Sequence, residues 1–99
     1  MKKVGGLSEL KKKDDQVQKM IKELKDDIEK KLDKTIDQLD VDSYKTQIVA
    51  GTNYFIKVQI NNEEFIIVKV FQDLPHNQSK IELVNLKDKV DIDEHISYF

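Results

Sequence analysis

Two periods of apolar and polar residues divide the chain into a helical part and a strand part. Before residue 35, apolar side chains recur at intervals of three or four, which places them on one face of an α-helix. That face carries Val17, Ile21, Leu24, Ile28 and Leu32, with Met20 beside it. After residue 38, apolar and polar residues alternate, which is typical of β-strands. The pattern therefore predicts one long helix followed by a sheet.

The start of the helix is marked by charge. Lysines at 11–13 precede Asp14 and Asp15, and either aspartate is a suitable N-cap and first-turn acid. The apolar stripe could also mark a coiled-coil seam, but it spans barely two heptads and the strands have their own inner face to bury. We therefore interpret the stripe as the helix side of a hydrophobic core.

Four strand-like segments supply the other side of that core. They lie at about 39–50, 52–61, 64–72 and 81–87. Asn61-Asn62 is a turn signal between the second and third segments, and Leu74-Pro75 separates the third from the fourth because proline cannot donate to a strand ladder. Residues 88–94 are acidic and predict a loop before a short C-terminal piece. The predicted fold class is α+β, with one long α-helix packed across an antiparallel sheet.

The tightest predicted turn is the hairpin formed by Gln47-Ile48-Val49-Ala50-Gly51. Gly51 can adopt a positive φ without a Cβ penalty, and Ala50 is small enough for a tight reversal. Val49 is then an apolar side chain held near the apex of the hairpin. A single exposed valine is ordinary on a protein surface, but at a hairpin apex it suggests that the tip contacts a partner.

The composition limits the number of domains, the kinds of partner and the cellular compartment that we expect for this protein. Ninety-nine residues predict one small domain with a core of modest size. All 17 basic residues are lysines and are balanced by 19 acidic residues, so the net charge is −2 and no arginine is present for bidentate contacts to phosphate. We therefore expect binding to neither nucleic acid nor membranes. The lack of cysteine and of an apolar N-terminal stretch favours a reducing compartment, with the cytoplasm as the default.

Catalytic and metal chemistry find little support in the sequence. The two histidines, His76 and His95, have no sequence neighbours that suggest a catalytic triad. Asp91, Asp93 and Glu94 stand close to His95, but this stretch lacks the glycine of a calcium loop and the spaced histidine pair of a zinc helix. Three glycines at two places cannot form a phosphate-binding loop. We therefore predict no catalytic residue, no metal site and no cofactor.

Several segments carry a resemblance to one family. Gln47 to Gly51 is similar to the Gln-x-Val-x-Gly motif of the cystatins, and its second residue is an isoleucine, a close volume match to the more usual valine. The continuation from Thr52 to Val58 resembles the intracellular branch, the stefins. Leu74-Pro75-His76 stands where stefins carry a second hairpin tip, Gly5 stands where they carry a functional glycine, and Tyr98-Phe99 resembles the stefin ending.

The resemblance implies a reversible, tight-binding inhibitor of papain-like (C1) cysteine proteases such as lysosomal cathepsins, and not an enzyme. It implies a cystatin-like fold in which a sheet of four to five strands, including a short N-terminal strand, wraps around the helix. Residues 1–99 would form the single domain, with 1–7 as a flexible N-terminal arm. It also implies a cytoplasmic monomer that can exchange its helix and first strand with a second copy to form a domain-swapped dimer.

In stefins, three elements at one edge form a wedge that enters the protease cleft. Carried over to this sequence, the protease-binding residues of the arm, the first tip and the second tip are Val4, Gly5, Gly6, Gln47, Ile48, Val49, Ala50, Gly51, Leu74, Pro75 and His76. Val4 would enter a subsite and Gly5 would let the backbone turn away, so that the catalytic thiolate is covered without reacting. Lys2 and Lys3 depart from the familiar stefin arm, and we expect them to tune selectivity.

One alternative from a different functional class stays open. The same scaffold could be a non-inhibitory protein-binding or self-assembling module that uses the outer face of the sheet. Substitution of Val49 or Leu74 would abolish inhibition but leave such binding intact. Asn77-Gln78-Ser79 is a glycosylation sequon in the second loop, and because a glycan there would block the proposed contact surface, we interpret it as a chance match.

Overall fold

Two consecutive helices lie across one face of a five-stranded antiparallel sheet in the computed structural model, which describes residues 6–99. In chain order the elements are β1 (Lys11–Lys12), α1 (Asp15–Glu23), α2 (Lys25–Leu32), β2 (Leu39–Val49), β3 (Gly51–Ile60), β4 (Glu64–Gln72), a 3-10 turn (Pro75–Asn77) and β5 (Ile81–Val90). The strands are ordered in the sheet as they are in the sequence, and each neighbouring pair is antiparallel. The predicted α+β fold class and the short N-terminal strand are confirmed.

The helix predicted as a single element is divided in two at Leu24. α1 begins after Asp14, whose Oδ1 accepts a hydrogen bond of 2.9 Å from the Val17 amide and so caps the first turn. The Leu24 amide donates to the Ile21 carbonyl, three residues back, which tightens the turn at this point. The Ile28 amide then donates to the Leu24 carbonyl as α2 continues. Because the interruption is one residue long, the buried residues of both helices belong to the same core.

The apolar stripe of the helices packs on the inner face of the sheet. The buried members of this core are Val17, Met20, Ile21, Leu24, Ile28, Ile36, Val41, Tyr44, Ile56, Val58, Ile60, Ile66, Val68 and Val70. Leu32 is partly buried against them. On β3 and β4 the members are every second residue, because successive side chains of a strand point to opposite faces. The helix stripe and the strands are therefore the two sides of one core, as predicted.

The outer face of the sheet is also apolar and is covered by residues 91–99, which we call the C-terminal segment. The outer-face cluster consists of Phe55, Phe65, Ile67, Val90 and Ile96, with Leu7 and Phe99 packed against it. Lys57, on the same face of β3 as Phe55, exposes 6% of its surface, and its ammonium group donates to the carbonyls of Ile92 and Glu94. The buried charge therefore keeps hydrogen-bond partners after it has lost most of its water.

At the end of the sheet opposite the β2–β3 hairpin, the Asn61 side chain bonds to the connection between α2 and β2. Its Oδ1 accepts hydrogen bonds from the amides of Asp37 and Gln38 at 2.6 and 3.3 Å, and its Nδ2 donates to the Thr35 carbonyl at 3.4 Å. Its φ of 50° lies in the left-handed region, which asparagine tolerates better than most residues. One side chain thus ties the α2–β2 connection to the β3–β4 turn.

β5 is an edge strand of this sheet, and its pairing with β4 is irregular. Its pairing with β4 shifts register twice, once in the middle and once near the end. The amides of Leu86 and Lys89 donate to the side-chain oxygens of Asn85 and Asp88 at 2.8 and 2.7 Å. The strand continues to Val90, so residues 88–90, predicted as loop, belong to the sheet.

Candidate functional site

Two loops lie side by side at one end of the sheet. The β2–β3 hairpin turns at Ala50, between the paired residues Val49 and Gly51. The next residue, Thr52, pairs with Gln72 at the end of β4, so the β4–β5 loop leaves the sheet beside this hairpin. The two tips predicted from the sequence are therefore neighbours, and the strand register sets their relative position.

Gly51 is required at the first tip for two separate reasons. Its φ is +119°, a backbone conformation that side chains disfavour. A Cβ at this position would also lie 2.6 Å from Cζ of Phe71 and 2.7 Å from the carbonyl oxygen of Gln72. The hairpin tip is therefore narrow because a residue without a side chain packs directly on β4.

The side chains of the first tip divide into a supported stem and an exposed apex. Ile48 and Val49 expose 70% and 41% of their surfaces. Gln47, just below them, is buried, and its Oε1 accepts a hydrogen bond of 2.8 Å from Nδ2 of Asn53 across the hairpin. The apex thus presents apolar side chains on a hydrogen-bonded stem.

The second tip is shaped by Asp73. Its Oδ1 accepts hydrogen bonds from the Leu74 amide at 2.7 Å and from Nδ2 of Asn77 at 3.2 Å, which closes the loop around Pro75. These two bonds, the one from the Leu74 amide above all, hold the pKa of the Asp73 carboxyl below its ordinary value. The Asp73 amide donates to the Lys80 carbonyl at 2.8 Å, where the chain returns to the sheet. Leu74 remains exposed at the tip.

Residues 6–8, which we call the N-terminal segment, reach the same end of the sheet. The Ser8 amide donates to the Thr46 carbonyl at 2.8 Å, and Oγ of Ser8 accepts from the Thr46 amide at 2.9 Å. Because β1 runs antiparallel to β2, the chain from Lys12 back to Ser8 runs towards the hairpin tip. Leu7 is partly buried against the outer-face cluster, and Gly6 is exposed.

The structure brings most of the predicted site residues to this end of the sheet. Those residues are Gly6, Gln47, Ile48, Val49, Ala50, Gly51, Leu74, Pro75 and His76. Val4 and Gly5, which were also predicted, lie outside the described residues. Gln47 differs from the others in being buried, so it supports the first tip from below.

Sequence reasoning missed three residues that shape this end: Asp73, Phe71 and Ser8. Asp73 had a usable signal, because an aspartate next to a Leu-Pro turn is suited to bond the following backbone amides. Phe71 could be found only from the register of β3 against β4, which alternation alone does not specify. Ser8 lies in a stretch without periodicity and gave no signal.

Tyr44 and Asp14 brace the strand that leads to the first tip. The Tyr44 hydroxyl donates to Oδ2 of Asp14 at 2.7 Å, which joins β2 to the start of α1. The bond to the carboxylate, together with burial, raises the pKa of Tyr44 to about 12. The same bond, together with that from the Val17 amide, lowers the pKa of Asp14. The helix is thereby fixed against the stem of the hairpin.

This end of the sheet presents protruding loops, and the two histidines of the chain are the candidates for catalysis because histidine is the usual acid–base residue. His76 is exposed on the second tip and His95 is exposed in the C-terminal segment, on different elements. Within residues 6–99, no group of three or more histidine, cysteine or acidic side chains is placed to hold a metal ion. A groove of about 370 Å³ lies between α1 and the second tip, and its lining is mostly polar. None of the helices in the described part of the chain is long and apolar enough to cross a bilayer.

Comparisons with known proteins agree with this geometry. The sequence model of the cystatin domain matches residues 5–93. The chain is 37% identical over 95 residues to Cystatin-A of Felis catus, which covers 96% of this chain and 97% of the relative. It is 35% identical over 91 residues to Leukocyte cysteine proteinase inhibitor 1 of Sus scrofa, covering 91% and 88% of the two chains. It is 34% identical over 84 residues to Cystatin-B of Homo sapiens, covering 85% and 86%. The resemblance found in the sequence is thereby confirmed.

Proposed function

Because the chain belongs to the cystatin family, whose members are cysteine protease inhibitors and not enzymes, we propose that it is a reversible, tight-binding inhibitor of papain-like proteases of the cathepsin type. The observation that carries the proposal is the convergence of two loop tips and Gly6 at one end of the sheet. Ile48, Val49 and Leu74 supply apolar surface there. A row of protruding apolar tips is suited to fill a cleft.

Both tips have their shape before a protease arrives. The first is held by the Gln47–Asn53 hydrogen bond and by the contact of Gly51 with β4. The second is held by Asp73 and by the fixed φ of Pro75. Few backbone torsions must therefore be ordered on contact, and the entropic cost of binding is small. This favours tight binding.

Inhibition without cleavage follows from what the tips present. They are turns, and neither lays an extended peptide bond across the catalytic cysteine. The part of the arm before Leu7 would approach from the other side, with Val4 in a subsite and Gly5 allowing the chain to turn away. The thiolate is then covered by protein, and dissociation returns both partners unchanged.

The alternative of a non-inhibitory binding or self-assembling module is less well supported. That alternative uses the outer face of the sheet, and the C-terminal segment occupies this face. Lys57 and Ile96 are buried there, so they are not available to a partner. The exposed apolar side chains at the two tips favour the inhibitor.

We further propose that the inhibitory form is a cytoplasmic monomer. A swapped dimer would straighten the chain at Val49 to Gly51 and so remove the first tip. The positive φ of this hairpin falls on Gly51, which adopts it without a Cβ penalty, so opening the tip would release little strain. Size-exclusion chromatography after mild heating tests this, since loss of inhibition should accompany any dimer that forms.

The experiment is a titration of papain with the purified protein, followed by hydrolysis of a fluorogenic peptide. We expect a stoichiometric loss of activity that is recovered on dilution. Val49→Asp should raise the inhibition constant at least about tenfold, because a carboxylate would be desolvated in the contact. Val84→Asp is the matched control, since Val84 on β5 exposes 44% of its surface against 41% for Val49.

The possible results separate the two functions. Inhibition that is weakened by Val49→Asp and retained by Val84→Asp supports the proposal. Equal inhibition by both variants would show that the first tip stays outside the cleft. No inhibition at micromolar concentration by the folded, unmodified chain would overturn the inhibitor and favour the binding module.

A further inference from the structure

The C-terminal segment is fastened to the outer face of the sheet through its main chain. The ammonium groups of Lys45 on β2 and Lys69 on β4 donate to the main-chain oxygens of Ile96 and Phe99, each at 2.9 Å. Lys57, on the strand between them, donates to two further carbonyls of the segment. Three adjacent strands therefore contribute one lysine each, and these charge-assisted bonds fix where the segment lies.

Aromatic contacts fix the end of the segment more closely. The Phe99 ring meets Phe55 edge to face, with ring centroids 5.7 Å apart. The Tyr98 ring lies 5.8 Å from Phe55, and the Lys69 ammonium lies 4.7 Å from the centroid of Tyr98. Phe55 is completely buried, whereas Tyr98 exposes 62% of its surface, so Phe99 is the ring that closes over Phe55.

The N-terminal segment depends on the same support. Leu7 packs against the cluster to which Phe55 and Ile96 belong, and Phe99 packs against that cluster too. The next residue, Ser8, is bonded to Thr46 by two hydrogen bonds. Thr46 in turn follows Lys45, which holds the carbonyl of Ile96. Leu7 and Phe99 therefore pack on the same apolar cluster, and Ser8 and Ile96 are both bonded to β2.

We propose that Phe99 is a positioning residue for Leu7 and Ser8, which form the base of the N-terminal arm. By closing over Phe55, Phe99 completes the apolar cluster on which Leu7 packs, and Leu7 in turn holds Ser8 beside Thr46. Without the Phe99 ring, the cluster on which Leu7 packs is incomplete, and the hydrogen bonds between Ser8 and Thr46 open more often. Phe99 acts through Leu7 and needs no contact of its own with a protease.

The first test measures the base of the arm without any protease. Hydrogen exchange of the Ser8 amide, which is bonded to Thr46, reports how often this base opens. We expect Phe99→Ala to speed this exchange about three- to tenfold, the range that corresponds to the loss of one aromatic contact. Exchange of the Ile28 amide in α2, on the other face of the sheet, should not change. Ile92→Ala is the control, because Ile92 lies in the same segment but exposes 61% of its surface.

The second test rests on the proposed function and compares four chains: the full chain, Phe99→Ala, a chain lacking residues 1–5, and the combination. We expect Phe99→Ala to weaken papain inhibition about three- to tenfold in the full chain and to have no effect once residues 1–5 are absent. An equal effect in both backgrounds would overturn the proposal, since Phe99 would then act on the protease itself.

The experiment still tests the role of Phe99 if the chain does not inhibit papain or if Phe99→Ala does not fold. If the unmodified chain does not inhibit papain, the proposed function is wrong and the Ser8 exchange alone decides this inference. Unchanged Ser8 exchange in folded Phe99→Ala overturns it. If Phe99→Ala does not fold, Phe99→Leu keeps an apolar side chain without the ring, and the same exchange measurement applies.

Discussion

Gly51 lies so close to Phe71 that a β-carbon on the glycine would stand 2.6 Å from the ring. This contact joins the first tip to β4 and, through β4, to the second tip. The relative position of the two tips is therefore set inside the sheet, and any side chain at residue 51 disturbs both.

Gly51→Ala should therefore impair stability and inhibition together. The alanine meets a disfavoured φ of +119° and the Phe71 ring at once, so we expect a loss of about 2 kcal/mol or more in the free energy of unfolding. Papain inhibition should weaken at least about tenfold, because the tip must move to make room. Urea denaturation and inhibitor titration measure the two effects. A variant with the stability of the unmodified protein would contradict the assigned geometry.

Asp73→Ala should weaken inhibition by loosening the second tip. The carboxylate holds the Leu74 amide and the Asn77 side chain, and both bonds are lost in the variant. We expect a two- to tenfold higher inhibition constant, in line with about one net hydrogen bond. Asp93→Ala is the control, since Asp93 is an exposed acid away from the tips. Equal constants for the two variants would show that Asp73 does not shape the contact.

Tyr44→Phe should make the protein less stable by an amount that depends on pH. The variant lacks the hydroxyl that donates to Asp14, which costs about 1 kcal/mol near neutral pH. The pKa of Tyr44 is raised from 10.0 to about 12 in the folded chain, so this stabilisation is complete below pH 10 and is lost as the pH rises towards 12.

At low pH, the stabilisation by the Tyr44–Asp14 hydrogen bond is limited by protonation of Asp14. Its pKa is lowered from 3.8 on folding, so the stabilisation is present above that pH and is lost as the pH falls through the lowered value. The difference in unfolding free energy between the unmodified protein and Tyr44→Phe should therefore be flat from about pH 5 to 9 and shrink on both sides. Urea denaturation at several pH values checks this, and a constant difference up to pH 12 would refute it.

Asn61→Ala should lower stability without affecting inhibition. The substitution removes the hydrogen bonds to Asp37, Gln38 and Thr35 and puts alanine at a φ of 50°. We expect a loss of about 1 to 2 kcal/mol. Asn61→Gly restores the backbone freedom but not the bonds, so comparison of the two variants separates the contributions. A weakened inhibitor would mean that this end of the molecule influences the tips.

Structural features that depend on residues close together in the sequence were predicted well. The helix stripe, the alternation on β3 and the glycine at the first tip each follow from a short period or from one residue's torsions. The break at Leu24 was not predicted, because the stripe continues through it unchanged. The α+β fold and the positions of both tips could be predicted for this reason, whereas the helix division could not.

Structural features that depend on contacts between residues far apart in the sequence could not be predicted. The alternation of β3 places Phe55 and Lys57 on the outer face, which is usually solvated in an antiparallel sheet. Both are buried because the C-terminal segment folds back over them, and no period in residues 91–99 reveals where that segment lies. Ser8 was missed for the same reason, since its partner Thr46 is remote in the sequence.

The irregular pairing of β5 makes this edge of the sheet a poor template for a strand from another molecule. Another strand that approached this edge would find the amides of Leu86 and Lys89 already occupied by Asn85 and Asp88. It would also find the register interrupted twice, so a continuous ladder could not form. Association through this edge is therefore disfavoured, whereas the exposed apolar side chains Ile48, Val49 and Leu74 lie on the loops at one end of the sheet.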